Sequence, residues 1–183
     1  MGKIKKIVIF LCRIYFHTVF KLKLKLNKRK WVYVFDIDNT IAHTWPSFLD
    51  NYKSERDRYL KLSIFVNMRR LVMKVYNKRR TRKVIFLTAR NYLQYFTTYK
   101  WLKSNSFPLS FFDLILTHNA QEKVKLLKRF GEKGYNIVFV DDMTYNHETG
   151  EMKYYTNSIK ELRESKVHYF GNISINKFNN SKY

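Results

Sequence analysis

This sequence predicts an α/β fold, a three-layer sandwich around a central parallel sheet of about five strands, and three observations carry that reading. Five short apolar runs recur, at 32–35, 84–87, 112–116, 137–140 and 167–170. Stretches with helical periodicity separate the later runs, and strand–helix alternation implies parallel pairing with right-handed crossovers. The composition is that of one globular domain: 183 residues, 45% hydrophobic and 27% charged, with only five Gly and two Pro, too few for a turn-dense all-β fold.

The first 30 residues stand apart. They hold ten Lys or Arg and no acid; the first acidic residue is Asp36. Ile7 to Cys12 is apolar, but Arg13 and His17 interrupt the run, which is short of the roughly 20 apolar residues of a membrane span. Arg13 and the lack of a small-residue cleavage site count against a signal peptide. Gly2 follows Met1, but Lys6 stands where a myristoylation signal has Ser or Thr. As a helix, Ile4, Ile7, Leu11 and Ile14 share one face, with Thr18 next in line. Segment 1–30 is therefore expected either to lie on a membrane as a basic amphipathic anchor or to pack on the domain 31–183. Lys21 to Leu26 alternates with period 2, the pattern of a short strand or a basic linker.

Ser54 and Asp57 form a capping-box pattern, predicting a helix with Ile64, Met68, Leu71, Val72 and Val75 along one face. Tyr92, Tyr95, Phe96, Tyr99 and Leu102 mark a second helix. Asn119 caps a third, with Val124, Leu127 and Phe130 inward and Gly131 as its stop. A short fourth covers 157–165. The predicted strand order is 3-2-1-4-5, in a Rossmann-like arrangement.

Chemistry gathers where the apolar runs end. Asp36-Ile37-Asp38-Asn39-Thr40 follows the first run, Thr88-Ala89-Arg90 the second and Asp141-Asp142 the fourth, while Lys123 opens the helix after the third. Parallel sheets of this kind place their sites at the carboxyl ends of the strands, so these groups should converge. Four carboxylates at one point repel one another, and a divalent cation resolves this; oxygen ligands beside a phosphate-sized opening suit Mg²⁺. His43, His118 and His147 show no metal-ligand spacing and read as rim or loop residues.

In this order the motifs resemble those of the haloacid dehalogenase-like hydrolases, over about 31–170. Asp36 to Thr40 matches the family's Asp-x-Asp-x-Thr, Thr88 its strand ending in Ser or Thr, and Asp141-Asp142 its acidic pair. Lys123 matches its helix-start Lys; Lys125 is the rival, but Leu126 and Leu127 follow Lys123 at inward offsets. The resemblance implies that Asp36 attacks phosphorus and forms an aspartyl-phosphate. Asp38 would act as acid and then base, and its presence favours phosphate transfer over dehalogenation. Thr88 and Lys123 would bind the phosphoryl group. Mg²⁺ would sit on Asp36, the Asp38 backbone carbonyl and Asp142, with Asp141 either beside the metal or on it through water. Trp45-Pro46 falls where the family places a flap, and Arg90 could bind a second anion or pair with an acid.

The intervals 41–87 and 91–122 are too short for a cap domain of ordinary size, so the site should be open, with a hairpin at 144–155, turning at Thr149-Gly150, beside it. The net charge of +22 asks for an anionic partner, unless it reflects a coding bias toward Lys. Lys28, Arg29, Lys30, Arg79, Arg80, Arg82, Lys83, Lys133 and Lys166 precede strands, a basic pole opposite the site that suits an anionic membrane better than nucleic acid. The sole cysteine, Cys12, excludes an intramolecular disulfide and a Cys-based zinc site. The expectation is a cytoplasmic phosphohydrolase, peripheral at the inner membrane face, acting on a phosphorylated sugar or glycolipid precursor. Its rivals are a polynucleotide end phosphatase and a non-catalytic phosphate-binding module.

Overall fold

A computed structural model describes residues 3–27, 30–48, 50–146 and 152–181. Gly2, Lys28, Arg29, His147, Thr149 and Gly150, invoked above, lie outside them.

Five strands form one parallel sheet: β1 (Trp31–Phe35), β2 (Arg82–Thr88), β3 (Leu114–Leu116), β4 (Ile137–Val140) and a last strand, His168–Phe170. Their order is β3-β2-β1-β4 and then the last strand, the expected 3-2-1-4-5. Central β1 pairs Val32–Phe35 with Lys83–Phe86 on one side and Ile137–Val140 on the other, and the strand interiors are buried. A separate antiparallel hairpin, β5 (Thr144–Asn146) and β6 (Met152–Tyr154), follows β4; the last parallel strand is thus β7.

Seven helices surround the sheet among the described residues: α1 (Lys3–Leu26), α2 (Glu55–Lys61), α3 (Val66–Asn77), α4 (Tyr95–Ser104), α5 (Ala120–Gly131), α6 (Thr156–Arg163) and α7 (Asn172–Asn179). Contacts of α3 with β2 and α7, and of α2 with α4, build one layer; α5 with α6 builds the other.

Several expectations need correction. The helix opened by Ser54 is two helices. Ser54 caps α2 by accepting from the Asp57 N–H, but the chain becomes extended at Leu62. There the Ser63 carbonyl accepts from His43, Phe65 N–H reaches the Ile41 carbonyl, and the Trp101 indole takes the Leu62 carbonyl. Tertiary partners for the backbone outweigh the local helical pattern. Phe111–Asp113 is a 3-10 turn rather than strand, because Asp113 folds back to accept from Ser110. Phe96 faces outward, unlike Tyr95 and Leu102. Gly131 is the last residue of α5, where the helix was expected to stop; a Cβ there would meet Val167 Cγ2 at 3.1 Å, so this glycine also permits close packing.

The largest correction concerns 1–30. The period-2 stretch Lys21 to Leu26 is neither strand nor linker: it closes a single 24-residue helix. Phe16, Phe20 and Leu24 are buried, with Phe16 stacked on Tyr92 and Phe20 edge-on to Phe130. Lys23 pairs with Asp113, and Arg13 with Glu122. Helix α1 thus covers the otherwise open edge at β3, a common way of blocking stray strand pairing. The stripe expected to pack or anchor, Ile7, Leu11 and Ile14, stays exposed on the same helix.

Candidate active site

The carboxyl ends of β1, β2 and β4 and the first turn of α5 meet at one cleft. Its lining includes Asp36, Asp38, Thr88, Arg90, Lys123, Asp141 and Asp142. Asp36, Asp38, Thr88, Lys123, Asp141 and Asp142, expected to converge, therefore reach one place. Asp36 continues β1 and its N–H donates to the Val140 carbonyl, so the two acidic motifs are in register across adjacent strands.

Two backbone kinks aim the acids. Asn39 (φ 54°) follows Asp38, and Met143 (φ 50°) follows Asp142. Left-handed backbone at residues other than glycine is uncommon and costs roughly 1–2 kcal/mol. Local bonds compensate: Asn39 Oδ1 accepts from the Trp45 N–H at 2.9 Å, and Asp141 Oδ1 accepts from the Met143 N–H at 2.7 Å. The expected flap residues form the 3-10 turn Trp45–Phe48.

Buried Lys123 lies between two carboxylates, 2.5 Å from Asp36 and 2.7 Å from Asp141. Burial alone would lower its proton affinity, but Asp141 and Asp36 more than reverse this, so it stays charged. Asn119, the N-cap of α5, accepts from the Glu122 N–H and sets the start of that helix. Lys125 points outward and is exposed, which removes it as a rival.

Arg90 is fully buried and forms a bidentate pair with Asp38, at 2.8 and 2.7 Å. It also donates to Thr98 and lies over the Tyr59 ring at 4.0 Å. Of the two roles open to Arg90, pairing with an acid is the one present. Burial raises the Asp38 carboxyl, but the Arg90 charge and hydrogen bonds from Arg90 and Thr44 overcome it, leaving Asp38 below the usual carboxylate range.

Asp36 and Asp142 are pushed the other way. Burial is the main cause for each, with the neighbouring Asp141 charge next; Asp142 rises to about 7. Four carboxylates thus share two cationic side chains; among the described residues the Asp142 carboxylate accepts from the hydroxyls of Thr40 and Thr144 alone, while its own N–H donates to Thr40 Oγ1. Asp36, Asp141 and Asp142 each present an oxygen within 4.8 Å of the others. An all-oxygen set with excess negative charge fits a small divalent cation.

No family model matches the sequence, and no curated protein does. Among solved structures, the class C acid phosphatase from Bacillus anthracis is similar at 14% identity and TM-score 0.48, covering 91% of this chain and 78% of its own. The same enzyme with tungstate bound gives TM-score 0.49 over the same coverage. The HAD domain of the effector protein Lem4 from Legionella pneumophila is similar at 14% identity and TM-score 0.42, over 78% of this chain and 85% of its own.

The sequence reading missed Thr44 and Tyr59. Thr44 donates to Asp38 at 2.8 Å, and Tyr59 forms the wall behind Arg90. Neither sits in a recognisable motif; Thr44 is placed by the turn after Asn39, and Tyr59 by the break that frees α2 from α3. The hairpin does flank the cleft, through Thr144, Tyr145 and Tyr155.

Proposed function

We propose that this protein is a Mg²⁺-dependent phosphomonoester hydrolase acting through an aspartyl-phosphate. The observation that carries the reading is Asp36: a buried carboxylate at the end of the central strand, charge-paired with Lys123 and facing an open cleft. Asp36 Oδ attacks phosphorus as the bond to the leaving oxygen breaks. Lys123 steadies the phosphoryl charge, and the Thr88 hydroxyl lines its seat. Asp38 gives a proton to the leaving oxygen, then takes one from the water that cleaves the acyl-phosphate. At rest Asp38 is held ionised by Arg90; an incoming phosphate dianion competes for Arg90 and raises the proton affinity of Asp38.

Asp36, Asp142 and the backbone carbonyl of Asp38 would hold the cation, with Asp141 occupied mainly by Lys123 and the Met143 N–H. When bound, the cation offsets repulsion between the Asp36 carboxylate and a phosphate dianion.

The substrate we favour is a phosphorylated sugar or glycolipid precursor at a membrane surface. An uncapped cleft suits a phosphate carried on something large. A polynucleotide phosphate end is the second reading, favoured by the net charge of +22. The test is a panel of sugar phosphates, lipid-linked phosphates and 5′- or 3′-phosphorylated oligonucleotides, assayed with Mg²⁺ and with EDTA. Metal-dependent release of phosphate is expected, fastest on the sugar- or lipid-linked members. No release from any member would reject the hydrolase reading, and a preference for oligonucleotide ends would replace its substrate.

A further inference from the structure

Helix α1 is packed along only half its length. Lys23 is tied to Asp113, just before β3, whereas Arg13 is tied to Glu122, just after it and beside Lys123. The helix therefore runs antiparallel to β3, and the residues before Arg13 continue past the catalytic edge by ~15 Å at 1.5 Å per residue. Within that projecting half, Ile7 to Cys12 is apolar on every side, after Lys3, Lys5 and Lys6. Ile7, Phe10 and Leu11 are each 58% exposed, and Ile14 is exposed beside them. A helix with apolar residues on every side is normally covered.

The exposed surface does not stop at α1. Phe16 stacks on Tyr92 and touches Tyr95, and Tyr95 meets Phe96; Leu93 and Phe96 are 77% and 71% exposed. These two residues lie three and six positions after Arg90. Buried Phe16 and Tyr95 thus join two exposed apolar patches, one on the projecting helix and one at Leu93 and Phe96.

Charge decides what covers it. Lys6 and Arg13 flank the projecting apolar turns, and α1 has no acidic residue along Lys3–Leu26. A second copy of this chain would set like charge against like charge, and a nucleic acid would leave the apolar patches wet. A bilayer with anionic headgroups satisfies both features.

We propose that the projecting half of α1, together with Leu93 and Phe96, docks shallowly into an anionic membrane and turns the catalytic edge toward it. This reverses the orientation suggested by the basic pole at the strands' amino ends. It also deepens the proposed function: the phosphate acted on is presented at headgroup level. That consequence rests on the hydrolase reading, whereas docking does not, so binding and turnover are measured separately.

The experiment uses the full chain and the triple variant Ile7→Ser/Phe10→Ser/Leu11→Ser, whose melting temperature should match the parent because these side chains lie outside the core. Both are co-sedimented with phosphatidylcholine vesicles, with and without phosphatidylglycerol. The parent should bind the anionic vesicles, less so as salt rises. The triple variant should bind roughly 100-fold more weakly, from the loss of three inserted apolar groups. Phe96→Trp should give indole emission quenched by brominated lipid. Docking is overturned if the parent stays in the supernatant with anionic vesicles, or if the triple variant sediments equally. Absence of quenching at position 96 overturns the orientation. A concentration-dependent dimer lost in the triple variant, without vesicle binding, assigns the surface to a second copy and also overturns it. Turnover of a soluble phosphomonoester should be equal in the two chains; its absence from both counts against the hydrolase reading alone.

Discussion

Lys123 is the pivot of the residue-scale chemistry. With 2.5 and 2.7 Å contacts it neutralises part of a cluster that would otherwise resist ionisation. Removing one partner from a buried ion pair typically costs 3–5 kcal/mol, roughly, because the other charge is left uncompensated. Lys123→Met is therefore expected to lower the melting temperature and abolish turnover together. Asp36→Asn separates the two effects. It keeps the shape and the hydrogen-bonding capacity but replaces the nucleophile with an amide, so turnover should fall by at least ~10³-fold with the fold intact. Phosphate release near the parent rate in that variant would sink the covalent mechanism.

Arg90 gives a subtler test at the same scale. Its guanidinium is bidentate to Asp38, bonded to Thr98 and stacked on Tyr59. A lysine ammonium cannot reproduce that planar fork. Arg90→Lys should therefore lower kcat by about 10²-fold through misplacement of Asp38, with a smaller change in KM. Steady-state kinetics in which Lys restores parent rates would show that only the positive charge matters.

At the scale of elements, α1 is half structural. Its buried Phe20 sits against Phe130, and Phe20→Ala is expected to cost ~3–5 kcal/mol, read from denaturant unfolding. The chain cut to 31–183 exposes that surface and the β3 edge, and should lose cooperative unfolding altogether. The Asp113 tie adds a pH signature. Burial raises this carboxyl, but bonds from Lys23 and Lys83 and the Ser110 N–H hold it below the usual range. Its contribution is thus complete above the ordinary carboxylate value of 3.8 and is lost as pH falls through the lower folded value. Asp113→Asn should remove that step from the acid limb of the stability curve, seen by melting at a series of pH values.

For the whole molecule, cation binding and folding are linked. The carboxylate excess at the cleft is unfavourable until a cation enters, and a ligand bound only by the folded state stabilises it by mass action. The melting temperature should rise with Mg²⁺ concentration, the rise should saturate, and EDTA should reverse it. Asp142→Asn should blunt the effect. A melting temperature indifferent to Mg²⁺ would argue that the cluster holds no divalent ion.

The order of apolar runs and acidic motifs was enough to determine the five-stranded parallel sheet, its 3-2-1-4-5 order and the meeting of Asp36, Asp38, Thr88, Lys123 and Asp142 at one edge. Period and crossover handedness give the parallel sheet and its functional edge, and the family resemblance selects this order among those that right-handed crossovers allow. C-terminal α7 escaped notice because Asn172 to Asn179 is rich in Asn, a weak helix former, and buries only Ile175. The break between α2 and α3, the bidentate hold of Arg90 on Asp38, and the placement of Tyr59 depended on partners distant in sequence. No local pattern encodes them. The same holds for α1. Its sequence offers two apolar faces, and periodicity alone could not say which would pack. The bulky aromatic face of Phe16 and Phe20 fills the gap beside β3, and Ile7, Phe10 and Leu11 are left outside because the sheet ends before the helix does.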